Sequence, residues 1–308
     1  MALGRRTSLV LALAAAVAAG ALTQAGASSP RSYREYVALG DSWSADVFTS
    51  LPPTTQSVPI DCAQSDTNYP HQVAAVLGVA TFRDATCGSA TTVEMTHPQS
   101  LPLGGVNPPQ LDRLSPRTDL VTLGIGGNDI GLAGDVEGCL SAVPTPVPGA
   151  PEYLGGTCKA TFTAGGVDSI EKSIRATAPK IATVISQIRQ RSPRARILLV
   201  NYLNGIPVTG KGCWPVVPIQ DVDVAYLQQK FVHMNAMLAA VARATHVELV
   251  DTYTPTIGHD VCQVPTVRYI EGLVPVSVSN PLVAAFPFHP NAQGANAQTR
   301  AVLAVLAR

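Results

Sequence analysis

The stretch Val37-Ala38-Leu39-Gly40-Asp41-Ser42-Trp43-Ser44 decides the fold. A short apolar run stops at a glycine, and an Asp-Ser pair follows. Residues 36–39 read as a buried strand, and Gly40-Asp41-Ser42 as the turn leaving its C-terminal end. In an open α/β sheet that edge is where ligands bind. A serine there can expose its hydroxyl while its backbone N–H points into a crevice. An ordinary strand-to-helix turn, with Ser42 as N-cap, fits the same residues.

Working outward, residues 69–77 have helical character with Val73, Val76 and Leu77 on one face. Residues 79–83 read as a second strand and 108–114 as a short helix. Residues 119–125 are almost continuously apolar, as a central parallel strand must be. In the helix predicted over 168–191, Ile170, Ile174, Ile181, Ile185 and Ile188 recur at helical spacing, and Pro179 should kink it or start a second segment. Residues 196–203 read as a fourth strand, 224–244 as a helix, 247–251 as a fifth strand and 291–306 as the closing helix. Residues 51–70, 132–166, 205–221 and 255–287 read as irregular, and 132–166 is long enough to line a cleft. Repeated strand-then-helix order without an internal repeat predicts one α/β domain: a central parallel sheet of about five strands with helices on both faces.

The 308 residues are 46% hydrophobic and 14% charged, which supports a sizeable core and argues against disorder. Arg5 and Arg6 precede an apolar run over 9–22, and Ala25-Gly26-Ala27 fits a cleavage site. Residues 1–27 therefore read as a secretory signal peptide and 28–308 as the exported domain. The apolar run falls short of the ~20 residues a membrane span needs, so no stable span is expected. Beyond the leader the chain carries 19 basic and 21 acidic residues, a formal charge of −2. Without a Lys/Arg cluster, nucleic acid is not an expected partner. Cys62, Cys87, Cys139, Cys158, Cys213 and Cys262 all lie in the exported part, where an even number suggests disulfides. Six cysteines allow 15 connectivities, and spacing does not choose among them. A zinc site would compete, but no Cys-x-x-Cys spacing supports one, so no metal is expected.

Three later stretches give the opening turn a chemical meaning: Cys87-Gly88-Ser89, Gly126-Gly127-Asn128-Asp129 and Phe288-His289-Pro290. With Gly40-Asp41-Ser42 they resemble, in order, the blocks of the SGNH hydrolases, also called the GDSL esterase/lipase family. The resemblance covers nearly all of the chain after the leader. It implies a flavodoxin-like three-layer α/β/α sandwich with strand order 2-1-3-4-5. Acyl transfer needs a nucleophile, a base and donors for the tetrahedral oxyanion. The resemblance assigns Ser42 as nucleophile and His289 as base. The oxyanion donors it implies are the Ser42 and Gly88 backbone N–H groups and the Asn128 side-chain amide, with no cofactor. Of the other histidines, His71, His233 and His246 fall in or beside helices. His97 and His259 fall in loops, and either could lie near the cleft. The secreted actinobacterial members that the chain resembles pair their cysteines in sequence order, which implies Cys62–Cys87, Cys139–Cys158 and Cys213–Cys262.

Two departures from the family pattern bear on the site. The run after the serine is Trp43-Ser44-Ala45-Asp46, where relatives often have a small or aromatic residue followed by glycine, so Trp43 and Asp46 should reshape that wall. Relatives with a full triad carry Asp three residues before the histidine, and here Phe286 stands there, with no acid after Glu271. The expectation is a Ser42–His289 dyad oriented by the Phe286 carbonyl, a weaker base favouring alkaline pH. The implied function is that of a secreted, monomeric serine esterase or lipase acting on a small-molecule or lipid ester. A carbohydrate O-acetylesterase and a catalytically silent binding domain are the alternatives. Apolar stretches at 273–278 and 282–288 suit an acyl chain and equally suit packing.

Overall fold

In the computed structural model the described residues are 32–276 and 285–308, besides Met1. The leader read over residues 1–27 lies outside them, Met1 aside, as do 277–278 and 282–284 of the two apolar stretches. Five parallel strands form the central sheet: β1 (Glu35–Gly40), β2 (Thr81–Asp84), β3 (Leu120–Gly124), β4 (Arg196–Val200) and β5 (Glu248–Val250). Their order is β2-β1-β3-β4-β5, the order the resemblance implied. A separate antiparallel pair joins Gln99–Ser100 to Val106–Asn107.

The period-two alternation of strand side chains divides the interior into two layers. Val37 and Leu39 of β1 sit level with Val121 and Leu123 of β3, and with Ile197 and Leu199 of β4 they face one core. That core is closed by Ile181, Ile185 and Ile188 of α6 (Ser169–Arg191) and by Leu227 and Leu238 of α7 (Asp221–Ala244). Tyr36, Ala38, Leu120, Leu198 and Val250 point the other way. They meet Tyr69 and Val73 of α2 (Tyr69–Leu77) and Val302 and Val305 of α8 (Ala292–Leu306). All residues of β1 and β3 are buried, which is why neither strand shows polar alternation.

Helix starts follow local chemistry. Asn68, Asp168 and Asn291 cap α2, α6 and α8 by accepting backbone N–H groups with their side chains. Pro179 does not divide α6, which runs unbroken over 23 residues. Pro179 and Arg175, whose carbonyl loses its partner, are both exposed, so water can replace the missing bond. The region 132–166 is less irregular than expected: it holds two short helices, α4 (Leu132–Glu137) and α5 (Cys158–Phe162). The segment read as a helix at 108–114 is a single 3-10 turn, Gln110–Arg113. The bonds Cys62–Cys87, Cys139–Cys158 and Cys213–Cys262 are formed, in the sequence-order pairing.

β1 and β3 are neighbours, yet the chain leaves β1 for β2 on one side before returning to β3 on the other. That reversal leaves a crevice beyond their C-terminal ends. Gly40 and Gly124 lie side by side there, and the Asp41 N–H donates to the Gly124 carbonyl at 3.0 Å. A Cβ on Gly40 would come within 2.6 Å of that carbonyl, so the strand ends approach closely only because residue 40 is glycine. The Gln110 amide closes the edge, accepting from Gly40 N–H at 2.8 Å and donating to its carbonyl at 2.9 Å.

Candidate active site

Helix α1 (Ser42–Ala45) begins where β1 ends. Its N-cap is Asp41, which accepts the Trp43 N–H at 2.9 Å; Ser42 is the first helical residue. The Ser42 backbone N–H meets no acceptor among the described residues. On the far side of the crevice, α3 (Gly127–Ile130) begins where β3 ends, and Gly126 makes that turn at φ 122°. His289 arrives from a third direction, just before α8.

The side chains of Ser42 and His289 meet. His289 Nε2 lies 2.8 Å from Ser42 Oγ, and both residues are about 8% exposed. His289 Nδ1 lies 2.8 Å from a carbonyl oxygen that can only accept, so Nδ1 carries the proton and Nε2 accepts from the serine hydroxyl. That carbonyl belongs to Pro287, not to Phe286 as the sequence suggested. The Phe286 carbonyl is used within the turn, accepting the His289 backbone N–H at 3.1 Å, while Phe288 takes a left-handed φ of 59°. The chain thus doubles back and leaves the next carbonyl for the imidazole.

No carboxylate among the described residues bonds the His289 ring. Glu271 is tied to the His289 segment through the backbone, and its carboxylate is engaged elsewhere. Its own main chain pairs with Phe288 N–H and the His289 carbonyl, and its carboxylate is taken by Arg268 and by Asn291 Nδ2 at 3.0 Å. Asp251 binds the N–H groups of Tyr253 and Thr254, and Asp260 that of Cys262. Burial pushes the His289 imidazole down to about 4, only partly offset by the Pro287 carbonyl. The ring is therefore neutral across the physiological range, so its titration gives no reason for the alkaline preference expected of a carbonyl-oriented base.

Asn128 lines the same cleft. One hydrogen of its Nδ2 goes to the Ala90 carbonyl at 2.8 Å; the other has no acceptor among the described residues. Gly88 departs from expectation. Its N–H donates to the Cys62 carbonyl at 2.9 Å and its own carbonyl accepts from Gln99 Nε2 at 2.7 Å. The Cys62–Cys87 bond holds that carbonyl against the glycine, so the Gly88 N–H is consumed in tying two loops together.

Trp43 lines the cleft, its ring centroid 6.2 Å from that of His289, whereas Asp46 lies buried outside it and accepts the Tyr69 N–H at 2.9 Å at the start of α2. His97 and His259 line no part of the cleft; His259 stacks on Tyr269 at 3.8 Å. Tyr202, just past the end of β4, is a contributor the sequence reading missed. Its hydroxyl donates to Asp41 Oδ2 and accepts the Gly127 N–H at 2.7 Å, joining the Ser42 turn to the Asn128 turn. Its place beyond a central parallel strand was the available signal. Burial raises the Asp41 carboxyl to about 7 against those bonds, with Asp129 nearby adding to the rise.

The cleft encloses about 900 Å³, its open mouth included. Beyond Ser42 its walls are mainly apolar: Leu132 and Val136 of α4, Ile206 and Ile219 of the 205–219 loop, and Leu227 and Phe231 of α7. Asp41 and Glu137 are the acids among its lining residues.

The profile described as the GDSL-like Lipase/Acylhydrolase family matches residues 38–297. The chain is 35% identical over 268 residues to "Lipase 2" of Streptomyces coelicolor, covering 84% of this chain and 81% of that protein. Two solved structures share the fold. One is phospholipase A1 from Streptomyces albidoflavus, with TM-score 0.65, 20% identity, and coverage of 89% of this chain and 99% of that one. The other is the extracellular lipase from Streptomyces rimosus, with TM-score 0.61, 23% identity, and coverage of 88% and 99%.

Proposed function

Because the chain belongs to the GDSL-like lipase/acylhydrolase family and is thus a carboxylic ester hydrolase, we propose that it works through an acyl-enzyme on Ser42 with His289 as general base. The observation that carries this reading is the 2.8 Å contact of Ser42 Oγ with His289 Nε2, with Nδ1 held by a carbonyl. Neutral Nε2 takes the hydroxyl proton as Oγ attacks the ester carbonyl. The Nδ1–H bond to Pro287 keeps the ring in the accepting tautomer. The Ser42 N–H and the spare Asn128 Nδ2–H are the oxyanion donors supported by their unpaired hydrogens. Protonated Nε2 then gives its proton to the leaving alcohol. Water, deprotonated by the same nitrogen, releases the acid and restores Ser42. The orienting group is neutral, so the dyad is completed without a third acid.

The apolar walls favour an ester with an apolar acyl chain over an acetylated carbohydrate. In this reading residues 28–308 are a monomeric, exported domain released by cleavage near Ala27; the three disulfides support an oxidising destination. No helix among the described residues is long and apolar enough to cross a membrane. Hydrolysis of p-nitrophenyl esters of increasing chain length tests the assignment. Turnover that rises beyond acetate, and falls by about six orders of magnitude in Ser42→Ala, is expected. An acetate-only profile would mean an acetylesterase. No turnover at all would mean a binding domain.

A further inference from the structure

The loops that border the cleft carry large apolar side chains that are left exposed. Val274 is 70% exposed, Val216 62%, Val264 60%, Phe286 47% and Trp214 39%. Single exposed apolar residues are ordinary; several gathered at one opening are not. These five are drawn together by the fold. The Cys213–Cys262 bond ties the loop of Trp214 and Val216 to that of Val264. A Cβ on Gly272, two residues before Val274, would touch Val217 at 3.7 Å. Phe286 itself lines the cleft, as do Cys213, Val217 and Cys262 beside the exposed residues.

Charge is almost absent from these loops. Lys211 pairs with Asp221 at 3.1 Å, and Arg268 is buried against Glu271. Asp260 is buried too, bonded to the Cys262 N–H. Trp214 is held as an interfacial anchor should be: its Nε1–H donates to the Ser141 carbonyl at 3.2 Å, so burying the ring face in an apolar phase strands no polar hydrogen.

We infer that this rim docks on the surface of aggregated, electrically neutral lipid, placing the cleft mouth against the phase that holds its ester. The inference rests on the lipase reading of the cleft. With no free cation among the described residues of these loops, attachment comes from apolar insertion and does not need anionic headgroups.

The chain contains two tryptophans, Trp43 and Trp214, and emission reports the contact. Phosphatidylcholine vesicles should shift the parent's emission to the blue and carry the protein down on sedimentation, with binding little changed by 0.5 M NaCl. Trp214→Phe should lose most of that shift. The pair Val216→Asp with Val274→Asp should hydrolyse soluble p-nitrophenyl butyrate like the parent, yet lose tenfold or more of vesicle binding and of activity on emulsified ester. If the aspartates unfold the chain, Val216→Ser with Val274→Ser should weaken binding in the same direction. Vesicle binding by either folded pair at the parent's strength would overturn the inference, as would binding by the parent only to anionic vesicles. Sedimentation is read without turnover, so a failed lipase assignment would appear separately, as a parent inactive on every p-nitrophenyl ester.

Discussion

Replacing Asp41 by asparagine should make the protein gain stability over the parent as pH rises. The carboxyl is 1% exposed and ionises only near pH 7, whereas an unfolded aspartate ionises near 3.8. Between those values the folded state holds a proton that the unfolded state has released, so stability falls with rising pH. At about 1.4 kcal/mol per pH unit the accumulated cost approaches ~4 kcal/mol above pH 7, and it vanishes below about pH 4. Asparagine has the same shape, can still accept the Trp43 N–H, and never ionises. It leaves the Tyr202 hydroxyl proton without its carboxyl acceptor, a loss of about 1–3 kcal/mol that is already present at pH 4. The variant should therefore melt below the parent at pH 4 and at or above it at pH 8. With about 2–4 °C per kcal/mol for a domain approaching this size, the gap between the two midpoints should move by roughly 10 °C in the variant's favour. Calorimetry from pH 4 to 8 measures this directly. A gap that stays constant, or moves the other way, would refute the claim that Asp41 is held in the fold against its ionisation.

His289 should stay neutral far below the usual histidine range: its ring signals in NMR should be flat from pH 8 to 5 and move near pH 4, and a midpoint between 6 and 7 would contradict its burial. Asn128→Ala should lower kcat by ~10²–10³ with KM little changed, as for one lost oxyanion donor. Gly88→Ala should instead act on stability, since its Cβ would sit 3.1 Å from the Cys62 carbonyl while the backbone N–H remains; a kcat loss as large as that of Asn128→Ala would return Gly88 to the oxyanion site. Paired Cys→Ser replacements should destabilise in order of the loop each bond closes. Chain entropy gives about 4, 3.5 and 3 kcal/mol for Cys213–Cys262, Cys62–Cys87 and Cys139–Cys158, ranked by thermal midpoint; the separations are 49, 25 and 19 residues.

The sheet was legible because burial on both faces leaves a compositional mark. Residues 119–125 could be read as a central strand without neighbours, and the isoleucines of 168–191 marked a helix by spacing alone. Proline punctuation was less dependable. Pro179 looked like a break, and only its exposure in the fold explains why α6 continues through it. The meeting of Ser42 with His289, 247 residues apart, followed from ordered blocks at strand ends and not from any local pattern.

What stayed hidden was the direction of individual peptide groups. Side-chain identity says that Asn128 can donate and that Phe286 cannot accept through its ring. It does not say which of two successive carbonyls faces an imidazole. The Phe286–His289 turn decides that, and it depends on Phe288 adopting a left-handed φ that no phenylalanine advertises. Gly88 makes the same point for a donor. A glycine after a cysteine looked available, but the disulfide that the cysteine forms delivers the Cys62 carbonyl to the glycine N–H. Tyr202 was hidden for the opposite reason. It matches no block, yet the strand order sets it beyond β4, beside β3, where one hydroxyl reaches both Asp41 and Gly127. The side chains that meet at the cleft could be named from the sequence; the groups that aim them are set by backbone turns and by topology, and both are properties of the folded chain.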